Sequence, residues 1–474
     1  MCASGEVAFC IAGGKCSCSI LRRGVGEFEG RFPMRKLLVL LLVSVFLSVG
    51  ALSVFAGGAQ EDVDLDPDEI SGTLTFGGWP SADVAVEAIF DGFQEEYPNV
   101  DIEFEMISTE DHHDRLLTSL AAQAGAPDVV MIEAEFIGAF RDRPGFVNLL
   151  EEPYNAGQYE DDFVDYKWEH GKSVDGEVMV GLPWDIGPLS LFYRRDVFEE
   201  AGLPSEPDEV YALLSDPDDF LDVARQLTIE DEQWAIGNAV DLFYARWSNR
   251  DYYNRDLSFR FDSDESRELI ELGTTIREEG LDAQVDAFGD EWTSLLGDGR
   301  IAMIHSGSWL GGFLKTWIAE GTDGKWGVIE PPLFDATNWG GSFLAIPEMS
   351  DNKAAAWAFI EYALTNADPQ NTMFREVDYY PAYTPAWDDP MYEEGDPFFA
   401  GQQTRRLWAE IAEDTESTLV TPMDAETEDI LMSRVDTGID AGEDAQAIID
   451  AAIEEILNAT GPERDAFKAR LGID

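Results

Sequence analysis

Cysteine and histidine are scarce in this chain of 474 residues, which contains four of each. All four cysteines, Cys2, Cys10, Cys16 and Cys18, precede Met34. Cys16 and Cys18 are separated by one residue, which is too close for a good chelate, and no histidine follows nearby to complete a zinc site. A polypeptide that starts at Met34 therefore has neither a disulfide nor a thiol nucleophile.

The histidines do not indicate a metal centre either. His112 and His113 are adjacent, and neighbouring side chains on a helix point about 100° apart, so the two imidazoles do not converge on one ion. The chain also lacks a G-x-x-x-x-G-K-[ST] loop for nucleotide phosphates, and residues 307–311 (GSWLG) lack the G-x-S-x-G spacing of a serine nucleophile. We expect no metal, no cofactor and no catalytic residue.

Basic residues are few, since 31 lysines and arginines stand against 95 aspartates and glutamates, for a formal net charge of -64. Such a surface repels phosphate backbones and anionic lipid, which excludes nucleic acid as a partner. The acidic residues are spread along the whole chain. This distribution favours a solubility adaptation to a salty medium, whereas a receptor for polyamines or other cations would concentrate carboxylates in a cleft.

The N-terminal region has the pattern of an export signal. Two basic residues follow Met34, an apolar run covers residues 37–56, and Val54-Phe55-Ala56 fits the small-x-small rule for cleavage. We therefore expect a non-native extension at 1–33, a signal peptide at 34–56, and a periplasmic or otherwise extracytoplasmic protein. The alternative is an uncleaved N-terminal membrane anchor, because the run is long enough to span a bilayer.

The first part of the mature chain predicts an α/β fold. Residues 73–76 form a short strand, 100–106 alternate strictly between apolar and acidic side chains, and 129–132 are a continuous apolar run. Amphipathic helical patterns separate the three, which indicates a parallel sheet. Ligands of such sheets lie beyond the carboxyl ends of the strands, where Trp79 and Glu133 occur.

Several spaced motifs resemble a known family. They are GLPWDIGPLSLFY at 181–193, DVFEEAGLP at 196–204, AMIHSGSW at 302–309, KWGV at 325–328 and GGSFLAIP at 340–347. Together they resemble the extracellular solute-binding proteins of family 1, the sugar receptors of ABC importers to which the maltose-binding protein belongs. The resemblance covers about residues 71–383. Arg194-Arg195 departs from it, because the family usually has Asn or Asp followed by Lys there.

The resemblance implies a two-lobed α/β structure of the periplasmic-binding-protein type II fold, with parallel-sheet lobes and a ligand cleft at the hinge. It places residues 71–186 and roughly 340–400 in lobe 1, and 187–339 and roughly 401–474 in lobe 2, after an acidic linker at 57–70. The implied function is an extracytoplasmic receptor that binds a sugar or oligosaccharide. It would deliver the ligand to permease subunits of an ABC importer with a separate ATPase, and we expect a monomer.

A sugar presents apolar C–H faces ringed by hydroxyls, so its receptor needs flat aromatic rings and polar groups around their edges. Trp309 is the leading candidate, because it follows a strand and matches a motif position that stacks on sugar in the family. Glycines flank it on both sides, Gly307 before it and Gly311 and Gly312 after it, and they would let the backbone approach the ligand and leave one indole face uncovered. The full set of predicted ligand-binding residues is Trp79, Glu133, Trp184, Asp185, Ser308, Trp309, Trp339, Gly341, Ser342 and Tyr380.

Each candidate also has a structural interpretation. Asp185 either accepts hydroxyl hydrogen bonds or caps the turn before Gly187, and Glu133 either contacts the ligand or lies in a solvated loop. Tyr380, before Pro381, either lines the cleft or packs on the surface. Among the 13 tryptophans, the positions on strands or amphipathic helices are predicted to be core residues, and these are Trp234, Trp317, Trp357 and Trp408.

The main competing class is an enzyme, a periplasmic glycoside hydrolase. Such an enzyme needs two carboxyl groups, about 5 Å apart in a retaining enzyme or about 6.5 to 9.5 Å apart in an inverting one. Asp185 and Glu133 could imitate that pair. Carboxylates are so abundant in this chain that their presence alone carries little information, and we expect a binding protein rather than an enzyme.

Overall fold

The computed structural model describes residues 67–473, and strands alternate with helices from its first strand onward. The predicted extension, the signal peptide and the linker up to residue 66 lie outside the described residues. The strands of the described part are β1 (Gly72–Gly78), β2 (Val100–Met106), β3 (Val129–Glu133), β4 (Gly181–Pro183), β5 (Asp185–Ile186), β6 (Leu189–Arg194), β7 (Met303–Gly307), β8 (Trp326–Ile329), β9 (Ser342–Ala345) and β10 (Tyr380–Pro381).

Helices make up most of the remaining structure. The α-helices are α1 (Ala82–Glu96), α2 (Thr109–Ala122), α3 (Ile137–Phe140), α4 (Asp165–Gly171), α5 (Arg195–Glu200), α6 (Pro207–Leu214), α7 (Pro217–Leu227), α8 (Asp241–Trp247), α9 (Asp264–Glu279), α10 (Asp290–Gly297), α11 (Leu310–Phe313), α12 (Lys353–Leu364), α13 (Ala367–Val377), α14 (Thr404–Asp414), α15 (Asp424–Ala441) and α16 (Ala445–Leu471). A π-helical turn, Leu314–Ile318, continues α11, and 3-10 helices occupy Ala156–Asp162, Thr384–Asp388, Pro390–Glu393 and Pro397–Phe399. Within residues 67–473, none of the helices has both the length and the apolar character required to cross a membrane.

The first sheet contains five strands in the order β2-β1-β3-β9-β4. β1 pairs in parallel with β2 and β3, as the alternating strand and helix patterns predict. β9 runs antiparallel to both β3 and β4. The carboxyl ends of β1, β3 and β4 therefore lie at the edge where β9 begins. That edge carries Trp79, Glu133, Asp185 and Ser342.

The side-chain patterns explain why these segments form a sheet. In β2 the acidic Asp101 and Glu103 are exposed while Val100 is buried, as expected of a strand with one covered face. The apolar residues of β3 are all buried, because helices cover both faces of a parallel sheet. Helix α1 turns one face inward through Val86, Ile89 and Phe93 and ends before Pro98, which cannot continue it.

The second sheet has the order β7-β6-β8, and both outer strands run antiparallel to β6. We expected parallel sheets in both lobes, so this arrangement corrects the prediction for the second sheet, and the antiparallel β9 corrects it in part for the first. The physical reason is the direction of the chain. β6 begins at the end of the second sheet where the chain arrives from the first sheet, whereas β7 and β8 end there. Parallel pairing near this sheet consists of the isolated bridges Trp234 to Ile301 and Ile236 to Asp282.

Strand β6 separates the two largest hydrophobic clusters. Leu189, Leu191 and Tyr193 face one cluster, and Phe192 faces the other. The C-terminal helix α16 packs on the first of these through a stripe that includes Ile448, as the i, i+3, i+4 spacing predicts. The strand is thus buried on both faces, which holds the ends of β6 and β7 in fixed positions.

Candidate functional site

Two chain segments connect the sheets, residues 184–188 and 330–341, and we call them the crossing segments. They lie side by side: the backbone N–H of Trp339 donates to the Gly187 carbonyl at 2.7 Å, and that of Gly187 donates to Asn338 Oδ1 at 2.8 Å. Asn338 is buried, and the Tyr166 hydroxyl also donates to its Oδ1, at 2.9 Å. Sequence reasoning missed Asn338, because a single asparagine before Trp339 carries no pattern. Its side chain joins the two segments at the edge of both sheets.

Glycines permit the close approach of the crossing segments. A Cβ at Gly187 would lie 2.0 Å from the Trp339 carbonyl oxygen, and one at Gly341 would lie 2.2 Å from the Asp185 carbonyl oxygen. Gly341 also has a φ of +83°, in the left-handed region that side chains disfavour. Gly341, predicted as a ligand-binding residue, therefore has a clear structural role, and its carbonyl accepts the backbone N–H of Ala134 at 2.8 Å.

Aromatic rings extend in a row from the crossing segments, and we call Phe288, Trp309, Phe313 and Trp317 the aromatic row. The ring centroids are 5.8 Å apart from Phe288 to Trp309, 5.5 Å from Trp309 to Phe313 and 5.6 Å from Phe313 to Trp317. Trp339 meets Trp309 edge-on at 5.3 Å. The structure thus brings together Trp309 and Trp339, two of the predicted site residues, and both are half-buried.

Trp309 is oriented by the crossing segment beside it. Its indole N–H donates to the Trp339 carbonyl at 3.0 Å. Gly307 and Gly187 make room for the ring, since a Cβ at Gly307 would lie 2.3 Å from Trp309 Nε1 and one at Gly187 would lie 3.1 Å from Cδ1. The indole is therefore held at one edge, and although Phe288, Phe313 and Trp339 lie against it, the ring remains only half-buried.

The glycines that follow Trp309 have a different role from the one predicted. A Cβ at Gly311 would lie 3.3 Å from Trp408, and one at Gly312 would lie 2.4 Å from Asp378. Both glycines are buried and allow close packing of α11, so they do not bring the backbone to a ligand. Packing of α11 therefore accounts for both glycines without a ligand.

Trp317 also departs from its prediction as a core residue, because it is 52% exposed. In a regular α-helix, seven residues make almost two turns, so Trp317 would lie above the buried Leu310. The π-helical turn Leu314–Ile318 rotates less per residue, which moves Trp317 outward and brings Ile318 into the core. Trp357 and Trp408 are buried as predicted, and Trp234 is partly buried against the core.

The edge of the first sheet contributes a second aromatic group. Trp79 follows β1, is half-buried, and packs against His113 at 5.7 Å between ring centroids. Tyr379 contacts Trp184 edge-on at 5.3 Å. Burial raises the pKa of the Tyr379 hydroxyl, and a hydrogen bond with the Trp79 side chain opposes that shift. Trp79 and Tyr379 are therefore adjacent at the sheet edge.

Two predicted site residues are core residues in the structure. Trp184 is 1% exposed and packs edge-on against Phe76 behind Tyr379. Tyr380 is fully buried, and its hydroxyl donates to the Arg405 carbonyl at 2.7 Å. Successive side chains of an extended segment point to opposite sides, so burial of Tyr380 turns Tyr379 towards the sheet edge. The burial of Tyr380 does not favour the prediction that it lines the cleft, and Tyr379 lies at the sheet edge instead.

Asp185 lies in the first crossing segment, beside Ser342 at the start of β9. Asp185 Oδ1 accepts the Ser342 backbone N–H at 2.8 Å and the Ser342 hydroxyl at 2.5 Å. Burial raises the pKa of Asp185, whereas the charge of Lys167 and the bonds from Ser342 oppose the rise. Because both residues are buried and bonded to each other, they fasten β9 to the crossing segment and do not line an open surface.

Glu133 lies at the end of β3 beside Gly340. A Cβ at Gly340 would lie 3.7 Å from Glu133 Oε1 and 3.5 Å from Trp309 Nε1, so this glycine separates the carboxylate from the indole. Burial raises the pKa of Glu133 well above its ordinary value, the charge of Glu135 adds to the rise, and Arg250 opposes it. The structure therefore places the predicted Glu133 and Trp309 close together.

A buried lysine lies under this region. Lys167 is 0% exposed, and its Nζ donates to the Gly340 carbonyl at 3.2 Å. Burial lowers the pKa of Lys167 to about 8, and the attraction of Asp185 and Glu133 opposes that shift. Sequence reasoning missed this residue, since an isolated lysine on a helix gives no sign that it is buried. The lysine balances part of the negative charge at the junction.

Arg250 forms a further ionic contact at the sheet edge. Its Nη2 lies 3.2 Å from Glu135 Oε2, just beyond β3, and donates to Glu428 Oε1 of α15 at 3.0 Å. Ser308, the last predicted site residue, is buried, and its hydroxyl has no hydrogen-bond partner within residues 67–473. Its burial does not favour direct contact with a ligand.

The histidines next to the site use their ring nitrogens internally. His113 Nδ1–H donates to the Thr109 carbonyl at 2.7 Å, and its Nε2 accepts the Glu133 backbone N–H at 3.1 Å. His112 Nε2–H donates to the Met131 carbonyl at 2.9 Å. In the described part of the chain, no group of three or more histidine, cysteine, aspartate or glutamate side chains is placed to hold a metal ion.

The sequence of the chain is similar to those of known solute-binding proteins. A sequence model of bacterial extracellular solute-binding proteins matches residues 88–400. The arabinooligosaccharide-binding protein of Halalkalibacterium halodurans is 22% identical over 420 residues, which are 82% of this chain and 92% of that protein. The lactose-binding protein of Rhizobium radiobacter is 24% identical over 369 residues, which are 72% of this chain and 82% of that protein.

A solved structure shows the same fold. The sugar-binding protein MalE of Xanthomonas citri superposes with a TM-score of 0.68 at 21% identity, over 84% of this chain and 99% of that protein. The two sheets are thus the centres of a two-lobed α/β fold, and the crossing segments connect them.

Proposed function

The chain belongs to the family of bacterial extracellular solute-binding proteins, and on that premise we propose that it captures a sugar or oligosaccharide for an ABC importer. The observation that carries the proposal is the aromatic row beside the crossing segments. Trp309 is half-buried there, next to Glu133, with Trp79 at the edge of the facing sheet. Aromatic faces with carboxylates at their margin match the apolar faces and hydroxyl rims of sugars.

The names of the relatives support the ligand class. One of them binds arabinooligosaccharide and another binds lactose. Both are neutral carbohydrates that stack on aromatic rings and accept or donate hydrogen bonds at their hydroxyls.

The binding cycle follows from two lobes on a hinge. The strands of the first sheet come from residues 72–183 and 342–345, and those of the second from 189–329, which supports lobes at 71–186 with 340–400 and 187–339 with 401–474. A sugar that docks on Trp309 would favour closure by contacting both lobes. The closed, monomeric protein then docks on permease subunits of an importer that has a separate ATPase.

The protein acts after export. The signal peptide at 34–56 would direct it to the periplasm or another extracytoplasmic space, in agreement with the extracellular family. An N-terminal membrane anchor would keep it at the same side of the membrane.

The second candidate function, glycoside hydrolysis, has less support. It relied on Asp185 and Glu133 as a carboxyl pair, and Asp185 is buried with its Oδ1 bonded to Ser342. A polyamine receptor is also less favoured, because Glu135 beside the site already faces Arg250. We therefore propose binding without catalysis.

A two-part experiment tests the proposal. The mature protein is screened by thermal shift against neutral mono- and oligosaccharides and against polyamines, since a ligand bound only by the native state raises the Tm. The best sugar is then incubated with stoichiometric protein and analysed by chromatography. We expect a sugar to raise the Tm and to be recovered unchanged. A response to polyamines alone, or turnover abolished by Glu133→Gln, would overturn the proposal.

A further inference from the structure

The aromatic row continues well beyond the crossing segments. Its two terminal rings are exposed to solvent, Phe288 by 50% and Trp317 by 52%. Among residues 67–473, the other large hydrophobic side chains that are exposed are aliphatic, namely Val84, Ile229 and Leu457. Both exposed aromatic rings thus belong to one continuous series of ring contacts, which is not expected of scattered surface residues.

Local backbone geometry sets both terminal rings in place. Phe288 has a φ of 64°, in the left-handed region that a bulky residue seldom occupies. Trp317 lies on the π-helical turn, and such turns occur often at functional sites. The π-helical turn buries Ile318, but neither arrangement buries the aromatic ring itself, because both rings are half in solvent. Strained or irregular backbone that holds an exposed aromatic ring points to ligand contact.

Resting on the proposed function, we infer that the ligand is a neutral oligosaccharide of at least three sugar units that lies along the aromatic row as far as Trp317. The row makes three ring-to-ring steps of 5.5 to 5.8 Å, and each step is comparable with the advance of one sugar ring along a glycan chain. A mono- or disaccharide at Trp309 would leave the end of the row in water.

The charges near the row favour a neutral ligand over an acidic one. Exposed acidic residues surround both of its ends, with Asp286, Asp290 and Glu291 near Phe288 and Glu320 near Trp317 in the chain. Lys315 follows Phe313 by two residues, but its Nζ is paired with Asp396 Oδ2 at 2.8 Å. Carboxylates accept hydroxyl hydrogen bonds and repel uronate groups, so an acidic oligosaccharide is disfavoured.

The test is a chain-length series measured by titration calorimetry. Malto-, cello- and arabino-oligosaccharides from the disaccharide to the hexasaccharide are titrated into the mature protein. For the series that binds, we expect the Kd to fall with each added unit up to three or four units and then to level off. Oligogalacturonides of the same lengths are expected to bind at least about tenfold more weakly.

The variant Trp317→Ala distinguishes the contribution of the far end of the row to binding from that of Trp309. Because loss of an aromatic anchor weakens binding about tenfold or more, the Kd for members of three or more units should rise by that factor while the disaccharide Kd stays constant. Ile229→Ala removes an equally exposed side chain and should leave every Kd unchanged. Unfolding midpoints of both variants should match that of the parent, since both side chains are exposed.

The outcomes distinguish the two proposals. A Kd that stops falling at the disaccharide, or a Trp317→Ala variant with an unchanged series, overturns the extended site and leaves sugar binding standing. If none of the three series binds beyond the disaccharide, the extended site is likewise overturned. Failure of the folded protein to bind any sugar in the wider screen overturns the proposed function itself.

Discussion

Replacement of Trp309 by alanine tests the centre of the site. The indole is half-buried, donates its N–H to the Trp339 carbonyl at 3.0 Å and touches three aromatic rings. A fully buried tryptophan costs about 3 to 5 kcal/mol when truncated to alanine. For a half-buried one we expect about 2 kcal/mol of lost unfolding free energy, of which the hydrogen bond accounts for about 1 kcal/mol.

The loss of binding free energy should be at least as large as the loss of unfolding free energy. An aromatic anchor that stacks on a ligand contributes about 2 kcal/mol or more, which corresponds to about a 30-fold higher Kd. Trp309→Phe keeps a ring but loses the N–H and leaves the Trp339 carbonyl without this donor. It should therefore retain more of the affinity than Trp309→Ala while it still loses some stability.

Calorimetry with the best sugar and chemical unfolding without ligand separate the two effects. Trp247→Ala is the matched control, because Trp247 is 1% exposed and packs in the other large cluster. It should lower stability more than Trp309→Ala and leave the Kd of the remaining folded protein unchanged. A Trp309→Ala variant that binds normally but unfolds early would refute ligand stacking and assign the indole to the core.

The parallel arrangement of β1, β2 and β3 in the first sheet was predictable because each of these elements has a strong local signal. Strict alternation in 100–106, the apolar run at 129–132 and helical periodicity between them determine strand, helix and sheet type. The antiparallel pairing of β6 with β7 and β8 has no local signal. It depends on the direction in which each strand enters the second sheet, and that direction is set by the tertiary connections between the two sheets.

The site was predictable in part for the same reason. Trp309 follows a strand and lies in a motif, so its position at the sheet edge could be inferred. The choice between Tyr379 and Tyr380 depends on the two-residue pairing of β10 with β5, where a shift of one residue exchanges the two faces. The exposure of Trp317 depends on one π-helical turn, which periodicity does not reveal.

Three further predictions concern stability. Gly341→Ala should lower the unfolding free energy by more than about 2 kcal/mol in chemical denaturation, because strain adds to a backbone clash. Gly401→Ala, at the same φ of +83° with nothing within 4 Å, should cost only the strain. Arg250→Ala should cost about 3 kcal/mol, since two largely buried glutamates lose their cation, whereas Arg225→Ala, at an exposed pair, should have little effect on the unfolding midpoint. His305 is 5% exposed, and burial lowers its pKa from 6.5 to about 3. A lowered pKa in the folded state gives stability that is complete above pH 6.5 and is lost as the pH falls towards 3. At pH 5 His305 is protonated in the unfolded chain but neutral in the folded protein. This difference lowers the free energy of unfolding by about 2 kcal/mol relative to pH 7.5. His305→Phe removes this titration, so the stability of the parent relative to the variant should fall by that amount between the two pH values. The other histidines affect both profiles equally, so parallel pH profiles would mean that folding does not lower the pKa of His305.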